Sequence, residues 1–187
     1  MKIALAQLNY HIGNFESNFK KISKACEAAI KEKSELIIFS ELAICGYPPR
    51  DFLEFDDFIL KVEEYLDKIS SLSNEIAIII GAPSRNPNKK GKALYNSAFF
   101  MNNGEVESIH NKSLLPNYDI FDEYRYFESG EKNHFVEFKG KRLGITICED
   151  IWNIEGSYLY NFSPLDELCK DNLDLIINIA ASPFSFT

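Results

Sequence analysis

The chain has 187 residues, with 28 acidic and 20 basic side chains, a formal net charge of −8 and 45% hydrophobic residues. That length suits one domain, and 26% charged with 13% aromatic residues excludes wholesale disorder. A pI near 5.0 leaves no cationic excess for nucleic acid, and apolar runs such as Ile76–Ile80 are strand-sized, too short to span a bilayer.

The opening stretch has one basic residue and an apolar run broken by Gln7, which is too little for a signal peptide. Cys26, Cys45, Cys148 and Cys169 show no CxxC spacing and are expected as reduced thiols of a cytoplasmic protein. Ile3–Leu8 reads as a short strand. Gly13-Asn14 then breaks the chain, with Asn14 placed to cap a helix whose stripe is Phe15, Phe19, Ile22, Cys26 and Ala29. Leu36–Phe39 is a second buried strand. Asp56 is the expected cap of a helix striped by Phe58, Ile59, Val62, Leu66 and Ile69, and Ile76–Ile80 is a third strand ended by Gly81 and Pro83.

The lysine-rich Arg85–Lys92 stretch reads as a solvated loop. Ala98–Met101 and Val106–His110 flank Asn103-Gly104, a hairpin signal. Phe135–Phe138 and Arg142–Ile147 flank Gly140, Ser163-Pro164 opens a short helix, and Leu175–Ile179 is a last buried strand. Strands and helices alternate without repeat or linker, which predicts one α/β domain. Ser113–Asn133 follows neither period but carries Tyr118, Phe121, Tyr124, Tyr126 and Phe127. It is too aromatic for a linker and is expected to form a lid or pocket wall.

Three apolar strands run out onto reactive side chains: LIIFS onto Glu41, VESIHN onto Lys112, and LGITI onto Cys148. Ligands of α/β proteins bind at the carboxyl ends of strands, so these three termini can converge. A carboxylate can take the thiol proton and return it to a leaving amine. An ammonium can lower the thiol pKa and stabilise an oxyanion, with backbone N–H groups after Cys148 adding to it. Taken singly, each residue has an ordinary reading as a core cysteine, a capping glutamate or a solvated lysine. His11, His110 and His134 give no Cys–His signature, and no metal-ligand pattern or phosphate loop is present.

Together these segments resemble the nitrilase (carbon–nitrogen hydrolase) superfamily, and more narrowly the glutamine-hydrolysing domain of glutamine-dependent NAD synthetases. The resemblance rests on IALAQLNYHIGNFESNFKKI, SELAICGYPPRDFL, HNKSLLPNYDIFDEYRYFESG, ICEDIW and INIAASPF, in order over nearly the whole chain. It implies an αββα sandwich and hydrolysis of glutamine through a Cys148 thioester, with Glu41 as general base and acid and Lys112 stabilising the tetrahedral intermediate. Glu123 matches a second glutamate near the constellation, and Tyr118, Phe121, Glu149, Trp152 and Ser182 match positions lining the glutamine pocket. The aromatic set also has a plain reading as a packed loop, and Trp152 as core.

The family's ammonia passes to an ATP-dependent synthetase domain, of which residues 1–187 show no SGGxDS-type loop. ATP and magnesium are therefore expected only in that domain, and no cofactor in this chain. The family fold continues past the SPF turn, so the resemblance implies a C-terminally incomplete sandwich completed by a synthetase domain or chain, and a homo-oligomer where the full fold is present. A stand-alone nitrilase-type amidase, or an inactive remnant or partner subunit, are the alternatives.

Overall fold

The computed structural model describes residues 1–88, 90–131, 134–153 and 160–182. Two sheets lie face to face. The first has five strands in chain order: β1 (Ile3–Leu5), β2 (Leu36–Ile38), β3 (Ala77–Arg85), β4 (Leu94–Asn102) and β5 (Glu105–Asn111). β1, β2 and β3 pair in parallel, and β3, β4 and β5 antiparallel. The second sheet has β6 (Val136–Phe138) antiparallel to β7 (Lys141–Ile147), and β8 (Leu175–Ile179) parallel to β7.

Alternation along the central strands assigns their faces. Ile37, Ile78, Ile80, Phe99 and Met101 join a core with α1 (Phe15–Lys31) and α2 (Asp56–Leu72). Leu36, Ile38, Ala77, Ile79, Ala98 and Phe100 join a second core with Val136, Leu143, Ile145, Ile147, Ile177 and Ile179 of the other sheet. The Asn14 side chain caps α1 by accepting from Ser17 N at 3.1 Å, and Phe15 packs on Phe58 of α2 at 5.1 Å between rings. On the outer face of the second sheet, Ser163 Oγ accepts from Asp166 N to cap α4 (Pro164–Cys169). A Cβ on Gly144 would strike Leu168 of this helix. The order of layers is helix, sheet, sheet, helix.

Some boundaries differ from the sequence reading. β1 stops at Leu5, and Asp56 lies in the first turn of α2, with Phe55 at the cap position. β3 does not end at Gly81 and Pro83 but runs through both to Arg85, opposite a β4 that starts at Leu94. Glycine is required at position 81 by close approach: a Cβ there would lie 2.6 Å from Glu41 Cα and 2.5 Å from Leu42 N. The expected aromatic loop contains one turn of helix, α3 (Glu123–Tyr126), with Phe127 buried and Tyr124 exposed. No helix among the described residues is long and apolar enough to cross a membrane.

Candidate active site

Glu41 follows β2 on a turn whose residues Leu42, Ala43, Ile44 and Cys45 are all buried. A buried turn needs internal partners for its polar backbone. Asn18 of α1 supplies one, donating to Ile44 O at 3.1 Å and to His11 O at 2.9 Å. Leu42 adopts a φ of 48°, and the turn delivers the Glu41 carboxyl into the interior at 1% exposure.

Lys112 lies directly after β5 and has no exposed surface. Its Nζ donates to Glu41 Oε1 at 2.8 Å and to both oxygens of Glu123 at 2.8 Å. Glu123, the first residue of α3, also accepts from Tyr47 Oη at 3.0 Å. Asn96 of β4 joins the two carboxylates, its Nδ2 lying 2.8 Å from Glu41 Oε1 and 3.2 Å from Glu123 Oε2. The remaining Glu41 oxygen accepts from Ala181 N, beyond β8, at 3.0 Å. An ammonium, two carboxylates and an amide thus share one buried cluster.

Burial pushes the Lys112 ammonium toward losing its proton, but the charges of Glu41 and Glu123 outweigh it, and the net shift is upward. Burial and the neighbouring Glu41 charge push Glu123 above the usual carboxylate range, against the pull of Lys112.

Cys148 directly follows β7, has a φ of 46°, in the left-handed region, and opens a 3₁₀ turn over Cys148–Ile151. The side chain is 5% exposed. Burial, and then the Glu41 charge, push its thiol up to about 12, while Lys112 and a hydrogen bond from Ser182 act the other way. At neutral pH the resting group is a thiol, so attack on an electrophile requires proton removal as the sulfur moves.

The next residue, Glu149, is also buried. It accepts from Tyr118 Oη at 2.8 and 2.9 Å and from Tyr160 Oη at 3.1 Å. Phe121 bridges Tyr118 and Tyr47, with ring centroids 5.7 Å and 6.5 Å away. Glu41, Lys112, Glu123 and Cys148 therefore lie together, with Ser182 on the sulfur and Tyr118, Phe121 and Glu149 alongside. Trp152 is 62% exposed, so it is not a core residue. Pro183 and Phe184 of the SPF turn lie outside the described residues. Sequence reasoning missed Asn96, Tyr47 and Asp150. Asn96 is embedded in the strand run LYNSAFFM, and an amide on a fully buried strand was the available signal. No group of three or more metal-ligating side chains occurs among the described residues.

Residues 2–163 match the carbon–nitrogen hydrolase family. A glutamine-dependent NAD(+) synthetase of Synechocystis is 40% identical over 98% of this chain and 34% of its own length. One from Aquifex aeolicus is 36% identical over 98% and 30%. The chain spans about a third of the length of the curated relatives it matches. Among solved structures, the glutamine-dependent NAD+ synthetase of Acinetobacter baumannii superimposes with a TM-score of 0.87 at 34% identity, covering 98% of this chain and 32% of that one. An amidase from Nesterenkonia shares the fold, with a TM-score of 0.83 at 19% identity over 100% of this chain and 66% of its own. On the family match and the shared fold, the chain belongs to the carbon–nitrogen hydrolase family.

Proposed function

We propose that residues 1–187 form a glutamine amidohydrolase domain whose ammonia supplies NAD synthesis in a synthetase domain or chain. The observation that carries the reading is the buried Glu41–Lys112–Glu123 cluster beside Cys148. The names of the relatives point the same way. Cys148 Sγ attacks the side-chain amide carbon of glutamine as its proton passes to Glu41, and Lys112 stabilises the oxyanion. Glu41 then gives the proton to the departing nitrogen, the C–N bond breaks, and a thioester remains. Water attacks the thioester with Glu41 as base, and the sulfur leaves and regains the proton. The sum is glutamine and water to glutamate and ammonia. Glu149, Tyr118, Phe121, Trp152 and Ser182 line the amino-acid pocket in this reading, and ATP and magnesium act only on the synthetase side.

The test is incubation with 6-diazo-5-oxo-norleucine followed by peptide mass spectrometry, alongside measurement of glutamate release. Covalent mass on Cys148 and stoichiometric glutamate and ammonia are expected. A folded sample that gives neither, alone and with a synthetase chain added, overturns the reading. Faster turnover of a simple aliphatic amide than of glutamine favours a stand-alone amidase instead.

A further inference from the structure

The reactive groups sit on different sheets: Glu41 and Lys112 follow strands of the first, Cys148 follows a strand of the second. Their separation therefore depends on whatever fixes one sheet against the other. Apolar packing supplies contact but little angular definition, whereas short charged hydrogen bonds define both distance and direction.

Asp150 has no exposed surface and makes three such bonds. Its Oδ1 accepts from Ser113 N and Leu114 N, each at 2.9 Å, and its Oδ2 from Ile147 N at 3.1 Å. Ser113 is the residue after Lys112, and Ile147 is the residue before Cys148. We propose that Asp150 is a positioning residue whose carboxylate staples the Lys112 strand end to the Cys148 turn. The bond to Ile147 is local and would cap the 3₁₀ turn by itself. The two bonds to Ser113 and Leu114 reach across to the other sheet, and capping does not require them.

The short arm of an aspartate suits this role, because both oxygens are used and one rotatable carbon separates them from the backbone. The left-handed Cys148 backbone, strained for a non-glycine residue, is held from the adjacent peptide. Lys112 acts on the Cys148 thiol through space, so any drift between the strand ends reaches the sulfur as a change in reactivity. This inference rests on Cys148 being the nucleophile.

The test is the rate of carbamidomethylation by iodoacetamide at each cysteine, followed by mass spectrometry from pH 6 to pH 10. Exposed Cys169 serves as the internal standard. Asp150→Asn keeps the shape but turns a donor toward one set of backbone N–H groups. The Cys148 rate in this variant is expected to fall at least about tenfold, with a displaced pH profile. Leu66→Ala, a destabilising change in the helix layer, controls for loss of stability and is expected to leave that rate and profile unchanged. Asp150→Glu keeps the charge but lengthens the arm, so its Cys148 rate falls too; it carries the test if Asp150→Asn does not fold. Folded Asp150 variants with the wild-type rate and profile refute the staple alone. A wild-type Cys148 no more reactive than buried Cys26 refutes the nucleophile, and the staple with it.

Discussion

Replacing Lys112 with Met removes the ammonium that lies 2.8 Å from an oxygen of Glu41 and 2.8 Å from Glu123. At an effective dielectric of about 20, each contact of that length is worth about 6 kcal/mol of attraction. Desolvation of three buried ions offsets most of it. Removing one partner from a buried pair nevertheless costs about 3–5 kcal/mol, because charge is left without compensation. Here two carboxylates remain, held by neutral donors: the Asn96 amide on both, Tyr47 on Glu123 and Ala181 N on Glu41. The variant must therefore bind a proton in the folded state that the unfolded chain releases near the ordinary glutamate value of about 4.3. Its deficit is full at pH 7 and shrinks as pH falls toward that value, unlike that of a lost packing contact, which is indifferent to pH. Urea denaturation followed by circular dichroism, on wild type and Lys112→Met at pH 5 and pH 7, measures both quantities. A deficit under about 1 kcal/mol, or one equal at the two pH values, refutes the uncompensated-charge account.

Other expectations are more local. Asn96→Leu removes the amide that holds both carboxylates. At about 1.5–3 kcal/mol for a hydrogen bond to a charged group, kcat for glutamine hydrolysis should drop roughly 10- to 100-fold with KM little changed, as steady-state kinetics will show. Gly81→Ala places a methyl 2.5 Å from Leu42 N. It should destabilise by about 1–3 kcal/mol and lower activity by displacing Glu41, and a stable, fully active variant contradicts the close-approach account. Burial and then the His134 charge depress His110 from 6.5 to about 4; it is 3% exposed, its Nε2 meets Ser108 Oγ, and its Nδ1 has no partner among the described residues. The folded state therefore disfavours the imidazolium, so this contribution is complete above pH 6.5 and about 3 kcal/mol is lost as pH falls from 6.5 to 4. His110→Phe should flatten that part of the stability profile.

The elements that were legible in the sequence are those specified by near neighbours. The stripe of α1, the caps at Asn14 and Ser163, and the Asn103-Gly104 turn all depend on residues a few positions away. Three strands running out onto Glu41, Lys112 and Cys148 were readable for the same reason. What escaped depends on distant chain. Gly81 reads as a strand terminator, yet it is a strand interior made small by the Glu41 turn pressing on it. Asn96 and Tyr47 look like ordinary strand and loop residues until β4 and the Tyr47 loop are laid against Glu123. Asp150 has only Ile147 among its partners near it in sequence; Ser113 and Leu114 are 37 and 36 positions away.

The division of Glu41 and Lys112 from Cys148 between two sheets has a consequence for the life of the chain before it is folded. Ribosomal synthesis delivers Glu41 and Lys112 first, together with Cys26 and Cys45, and Cys148 only later. In a half-built or locally opened molecule Cys148 has neither Glu41 nor Lys112 beside it, so the proposed amide hydrolysis cannot run. Chemistry arises when the inner faces of the sheets close around Phe100, Ile145 and Ile177. Amide turnover is thus a built-in gauge of assembly, and its loss during gentle denaturation should precede the melting of α1 and α2.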